Sequence, residues 1–122
     1  MGVGMPFILY LQDFGEHIRR AFGHVPYHVG SSLEKKDGWR DVDVRLMLPD
    51  EEYAAAGYGE PGREHSNAKW VSTCLAWSAF GKALTGLPID FQIQQTSYAN
   101  EKFKREEGAS RTRSALLHHA DV

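Results

Sequence analysis

Three aspartates have the residue type and spacing that metal-dependent chemistry requires. Asp41 and Asp43 are separated by one residue in an Asp-Val-Asp-Val segment, and Asp90 stands between two apolar residues. Alternate side chains of a strand share a face, so strands at these two places would collect the three carboxylates on one side of a sheet. Carboxylates at that range repel one another unless a cation neutralises them, and their hard oxygens suit Mg²⁺ or Mn²⁺. The pattern predicts a divalent-metal site; the alternative is that the acids are simply solvated on an open sheet surface.

A glycine-serine turn lies a short distance before the first pair of acids. Gly30, Ser31 and Ser32 follow Val29, and glycine allows the tight turn and close backbone approach that phosphate binding needs. Backbone N–H groups and a hydroxyl of this turn could therefore bind a phosphate. Taken alone the signal is weak, because Gly-Ser pairs are common in loops and the sequence does not fit the longer Gly-x-x-x-x-Gly-Lys-Ser/Thr loop.

The elements that must position these residues follow from the periodicity of the chain. Apolar residues at helical spacing predict a helix from Phe7 to Phe22, which Gly23 ends, and the alternative for residues 7–11 is a short strand. A short segment between Pro26 and Gly30 predicts a strand over residues 26–29. Alternation of apolar and polar residues predicts strands over residues 41–48 and 89–94. In the last two strands the apolar residues fall on one side and the aspartates on the other.

Two further helices are predicted between the second and third strands. Asp50 could cap a short helix over residues 51–56. After a loop rich in glycine and proline, Ser66 or Asn67 opens a long helix that stops before Gly86. Its expected core stripe is Trp70, Cys74, Trp77, Phe80 or Gly81, and Leu84. The lone cysteine in this stripe is expected to be a buried thiol rather than a nucleophile.

Length and composition narrow the class of protein. The chain has 122 residues, 42% hydrophobic and 25% charged, which is typical of a globular protein with a single domain over residues 1–122. Its formal net charge of −2 argues against non-specific binding to nucleic acid. No apolar run near the N-terminus approaches the ~20 residues of a membrane span and no secretory leader is evident, so we expect a cytoplasmic protein without membrane contact. The elements together predict an α/β (α+β) fold: a small mixed sheet with helices packed on one face and the metal site on the other.

The order of these features resembles the signature of the polymerase β-like nucleotidyltransferase superfamily. Gly30 and Ser31 are followed, after the nine residues 32–40, by Asp41-Val42-Asp43-Val44 and later by Ile89-Asp90-Phe91. The resemblance covers residues 27–94, and the predicted order of helix, strand, strand, helix and strand agrees with the superfamily's minimal core. The tail also looks like that of small nucleotidyltransferase-like proteins encoded by tailed phages.

The resemblance implies transfer of a nucleoside monophosphate from a nucleoside triphosphate to an acceptor hydroxyl, with release of pyrophosphate. Asp41, Asp43 and Asp90 would be catalytic and would hold two Mg²⁺ (or Mn²⁺) ions, and Asp90 would help to activate the acceptor. The acceptor could be a nucleic-acid end, a small molecule or a protein hydroxyl. The residues that would bind the nucleotide phosphates are Gly30, Ser31 and Ser32.

Other functions and partners follow from the same features. The core would occupy residues 1–94 and leave only 95–122 to recognise an acceptor, so we expect a homo-oligomer or a complex with a helical partner. The alternative function is a non-catalytic nucleotide- or partner-binding protein that retains the fold. A metal-dependent nuclease ranks lower, because Gln92 and Gln94 stand where an acid-x-Lys arrangement would need a lysine.

Several cations and amides are weaker candidates for contacts with a nucleotide. Arg45, Gln92 and Gln94 share the open face with the acids and could contact a base or sugar, although any solvated sheet surface shows the same pattern. Residues of the loop and the tail that could contact phosphate or an acceptor are Lys35, Lys36, Arg40, Asn100, Arg111 and Arg113.

Overall fold

The computed structural model describes residues 6–34, 40–102 and 114–116. They form a mixed α+β fold, so the predicted fold class is confirmed. A 3₁₀ turn over Glu64–Ser66 lies in the glycine-rich loop. The helices and strands, in chain order, are α1 (Phe7–Phe22), β1 (Tyr27–Val29), α2 (Ser31–Glu34), β2 (Val42–Leu48), α3 (Asp50–Ala55), α4 (Ala68–Thr85), β3 (Ile89–Gln95), α5 (Thr96–Lys102) and β4 (Ser114–Ala115).

The four strands form one mixed sheet in the order β3-β2-β1-β4. β2 runs parallel to β3, and β1 runs antiparallel to both β2 and β4. Buried and part-exposed residues alternate along the whole of β2 and along β3 as far as Gln94. Val42, Val44 and Leu46 are fully buried. Their face of the sheet is therefore the core face, and the aspartates and Arg45 lie on the opposite face.

Aromatic packing joins α1 and α4 to the core face. The Phe14 ring of α1 lies 6.4 Å from that of Trp77 and 6.3 Å from that of Phe91, measured between ring centroids. Gly81 allows this approach, because a Cβ at that position would stand 2.8 Å from Phe14 Cζ. Glycine rather than Phe80 therefore faces the core at this turn of α4.

The outer side of α4 departs from the expected stripe. Leu84 was expected in the core but lies at the surface, and Phe80 and Leu75 are exposed as well. The helix is apolar on more than one side, so periodicity alone does not identify which residues are buried. Within the described parts of the chain, no helix combines the length and apolar character needed to cross a membrane.

Hydrogen bonds from α4 side chains protect the outer edge of β3. The Trp70 indole Nε1 donates to the Ile93 carbonyl oxygen at 2.8 Å, and the Ser78 hydroxyl accepts the Phe91 N–H at 2.9 Å. An edge strand otherwise leaves such groups free to pair with another chain. The contacts also hold α4 against the strand that carries Asp90.

Three predicted helix ends are confirmed. α1 ends at Gly23 and α4 at Gly86, both in the left-handed conformation, and the Asn67 side chain accepts the Trp70 N–H at 2.8 Å.

The prediction that Asp50 caps α3 is wrong, because Asp50 is the first residue of that helix and Pro49 precedes it without a capping bond. The Asp50 carboxylate instead accepts the Ser97 hydroxyl at 2.6 Å and the Ser97 N–H at 3.1 Å. Asp50 therefore stabilises the start of α5, an element that was not predicted.

Part of the tail returns to the sheet. β4 pairs with β1, and the Leu116 N–H donates to the Pro26 carbonyl oxygen at 2.9 Å. Leu116 is buried against α1 at Gly15, where a Cβ would stand 2.6 Å from Leu116 Cβ and 2.7 Å from its carbonyl oxygen. Gly15 weakens α1 as an isolated helix, and the close approach of Leu116 gives the reason for a glycine there.

We expect Gly15→Ala to lower the free energy of unfolding by about 1–3 kcal/mol, because the new methyl group would overpack against Leu116. Helix propensity alone predicts the opposite, a gain of about 1 kcal/mol. Urea denaturation of the wild type and of Gly15→Ala shows whether the substitution lowers or raises the free energy of unfolding. Ala79→Gly, at an exposed position of α4, measures the difference in helix propensity between alanine and glycine without a change in core packing. A stabilised Gly15→Ala protein would show that Leu116 does not pack at this site.

Candidate functional site

The parallel pairing of β2 with β3 brings the three predicted aspartates together. Asp43 and Asp90 are direct partners across the two strands, and Asp41 immediately precedes β2. One carboxylate oxygen from each aspartate lies within 4.8 Å of those of the other two. Asp41 is exposed, while Asp43 and Asp90 are half-buried. The convergence expected from strand alternation is therefore present.

The donors of this cluster fit a hard divalent cation. All three are carboxylate oxygens, the ligand type that Mg²⁺ and Mn²⁺ prefer. Mg²⁺ usually retains several waters and takes only a few protein carboxylates together with substrate phosphates. The exposure of Asp41 leaves one side of the cluster accessible to such ligands.

Arg45 supplies a positive charge to the same cluster. Its Nη2 lies 3.4 Å from Asp90 Oδ2 and 3.7 Å from Asp43 Oδ1. Its Nη1 donates to the Asp90 carbonyl oxygen at 2.7 Å. Arg45 thus pairs with the acids, whereas the sequence suggested only contact with a base or sugar. Its position two residues after Asp43 on one strand is the signal that could have identified this ion pair.

Gly30 joins the glycine-serine turn to the acids. It follows β1 with a φ of +81°, and a Cβ there would overlap Asp43 Oδ2 and lie 3.1 Å from Asp43 Cγ. The Gly30 backbone therefore packs directly against the Asp43 carboxylate. The N–H of Leu33 donates to the Gly30 carbonyl oxygen at 3.1 Å, which closes the turn at the start of α2.

The Ser32 hydroxyl does not point to the open face. Ser32 is fully buried, and its Oγ lies 2.7 Å from Nε2 of His28, itself buried on the core face opposite Val44. Of the turn's hydroxyls, that of Ser32 is therefore directed into the core, and its backbone is the part of Ser32 that could contact a phosphate. The side chain of Ser31 lies outside the described part of the structure.

The weaker candidates divide into two groups. Arg40 is exposed immediately before Asp41, Gln92 is half-buried opposite Arg45, and Asn100 is exposed on α5. The remaining cations lie outside the described residues: Lys35, Lys36, Arg111 and Arg113.

Cys74 has the environment of a structural thiol. It is buried on the core side of α4. Burial raises the pKa of its thiol to about 11. Since the thiolate is the nucleophilic form, burial and the raised pKa both favour a structural thiol over a nucleophile, as the apolar helical pattern predicts.

Comparison with protein-family models, with curated proteins and with solved structures finds no match to this chain. The resemblance to the polymerase β-like nucleotidyltransferases therefore stays a prediction from the sequence, based on Gly30, Ser31 and the three aspartates.

We expect Gly30→Ala to be more destabilising than Gly23→Ala. Both glycines have a φ of +81°, but a Cβ at Gly23 would have nothing within 4 Å. Gly23→Ala therefore isolates the left-handed backbone strain, about 1–2 kcal/mol, whereas Gly30→Ala adds the overlap with Asp43, about 1–3 kcal/mol more. Urea denaturation compares the two variants. Equal losses would show that Gly30 does not pack against the Asp43 carboxylate.

The buried His28 predicts a loss of stability in mild acid. Burial lowers the pKa of His28 from 6.5 to about 4. Between these pH values the unfolded chain binds a proton that the folded protein does not, so stability falls as the pH decreases from about 6.5 to about 4, by at most about 3 kcal/mol. NMR titration of the His28 ring measures the pKa directly, and urea denaturation at pH 7.5 and 5.0 measures the loss. A His28 pKa near 6.5 would contradict the prediction.

Proposed function

We propose that this protein transfers a nucleoside monophosphate from a nucleoside triphosphate to an acceptor hydroxyl. The observation that carries the proposal is the convergence of Asp41, Asp43 and Asp90, each with a carboxylate oxygen within 4.8 Å of the others, beside the Gly30 turn. A turn that can approach phosphates and an acidic cluster that can hold a cation are the two parts that this reaction needs.

The three aspartates would hold Mg²⁺ or Mn²⁺. When bound, the cation would stabilise negative charge on the entering and departing oxygens of the phosphoryl group. Gly30 presents backbone rather than a side chain next to Asp43, which leaves room for the Asp43 carboxylate beside the turn that would bind the phosphates.

Asp90 is the candidate base of the transfer. Its side chain is 39% exposed, more than that of Asp43 at 24%, so an acceptor hydroxyl could approach it from solvent. Asp90 would accept the hydroxyl proton while the acceptor oxygen bonds to the α-phosphorus. The bond from the α-phosphorus to the bridging oxygen breaks, and pyrophosphate departs.

The second candidate function is binding of a nucleotide or a partner without catalysis. The ion pairs of Arg45 with Asp43 and Asp90 favour it, because they neutralise part of the acidic charge without any metal. The two candidates share the fold and the phosphate-binding turn but differ in whether the triphosphate is cleaved.

Binding of labelled ATP, GTP, CTP and UTP in Mg²⁺ and in EDTA tests the proposal. We expect Mg²⁺-dependent binding of at least one triphosphate. Asp41→Asn, Asp43→Asn and Asp90→Asn remove a charge at nearly constant volume, so each should weaken that binding about tenfold or more with the fold intact. Glu51→Gln, at an exposed acid of α3, is the matched control and should bind as the wild type does.

Pyrophosphate release with added acceptors distinguishes the two candidates. Release that requires all three aspartates supports transfer, whereas Mg²⁺-dependent binding without release supports the non-catalytic function. Failure of the wild-type protein to bind any triphosphate, or full binding by the Asp43→Asn variant, would overturn the proposal.

A further inference from the structure

The Arg45 guanidinium is held in place by the backbone. Its Nη1 donates to the carbonyl oxygens of Asp90, at 2.7 Å, and Val44, at 3.2 Å. The side chain is only 16% exposed. Exposed arginines usually sample many rotamers, and their ion pairs contribute little. The guanidinium of Arg45 is instead held by backbone carbonyl oxygens, so the sheet itself fixes the position of this charge relative to the aspartates.

This anchored charge lies on one side of the acidic cluster. Nη2 is 3.4 Å from Asp90 Oδ2 and 3.7 Å from Asp43 Oδ1, so the guanidinium is shared by these two carboxylates. Asp41 is exposed and is not part of these ion pairs. Its carboxylate is therefore the one of the three whose charge Arg45 does not offset by direct contact.

We propose that Arg45 is the resident counterion of the cluster formed by Asp41, Asp43 and Asp90. It weakens the binding of divalent cations by the nucleotide-free protein and limits that binding to one ion. A dication near Asp43 and Asp90 would be repelled by the guanidinium and would compete with it for the same oxygens. The inference rests on the proposed function, because it assigns a role to Arg45 only if the aspartates bind a metal.

Titration with Mn²⁺ alone, without nucleotide, tests the role of Arg45. Calorimetry and the EPR signal of free Mn²⁺ would give the affinity and the number of bound ions for wild type and for Arg45→Gln. The amide of glutamine can still donate a hydrogen bond but carries no charge. We expect one weakly bound ion in the wild type and binding about tenfold tighter, or more, in Arg45→Gln. Misfolding would weaken metal binding, so a gain in affinity is not explained by a structural defect.

Three further variants serve as controls. Arg63→Gln removes the same charge at a side chain that is 81% exposed and paired with Glu60, so it should bind Mn²⁺ as the wild type does. Arg45→Lys keeps the charge but not the paired guanidinium contacts, so its affinity for Mn²⁺ should lie between those of the wild type and Arg45→Gln. Arg45→Met replaces Arg45→Gln if that variant does not fold, and circular dichroism establishes which of them does.

The outcomes separate this inference from the proposed function. Equal or weaker Mn²⁺ binding by the neutral Arg45 variants, or two ions bound to the wild type without nucleotide, would overturn the role of Arg45 and leave the metal site standing. If wild type, Arg45→Gln and Asp43→Asn all fail to bind Mn²⁺, no metal binds without nucleotide and the inference is overturned, while the proposed function is decided separately by the Mg²⁺-dependent binding of triphosphates. Tighter binding by Arg45→Gln and Arg63→Gln alike would assign the effect to net charge and likewise overturn the inference.

Discussion

The parallel pairing of β2 with β3 is the constraint on which both the core and the candidate site depend. In this register Val44 lies opposite Phe91 on the core face, and Asp43 lies opposite Asp90 on the other face. A slip of one residue in either strand would turn the aspartates into the core and the apolar side chains into solvent. The burial of Val44 and Phe91 against α1 and α4 therefore holds the carboxylates together, although the carboxylates repel one another.

The site offsets this repulsion locally. Arg45 provides a charge from the next open-face position of β2, and the Gly30 backbone confines the Asp43 carboxylate from the side of β1. Arg45 belongs to β2, which also carries Asp43, and Gly30 follows β1, the strand next to β2. The cluster can thus persist in the folded protein, and Asp41, which is not part of the Arg45 ion pairs, remains exposed to solvent.

Close packing around α1 depends on two glycines for steric reasons. Gly81 lets the Phe14 ring approach α4, and Gly15 lets Leu116 approach the opposite part of α1. Since Leu116 follows β4, which pairs with β1, this contact connects the tail to the strand that leads into the Gly30 turn. Residues 114–116 are consequently part of the framework behind the candidate site.

The sequence by itself determined the elements whose signals are local, α1, α4, β2 and β3. It also determined that each aspartate lies on the polar side of its own strand, because helical and strand periodicities appear within a few residues. The tertiary structure decided what depends on distant partners. Arg45 meets Asp90 across 45 residues of chain, Asp50 meets Ser97 across 47, and Leu116 meets Gly15 from the far end of the chain. The direction of the Ser32 hydroxyl toward His28 follows from how the β1 turn packs on the core. Periodicity shows which face a side chain occupies, but only the paired strands and packed helices show which residues share that face.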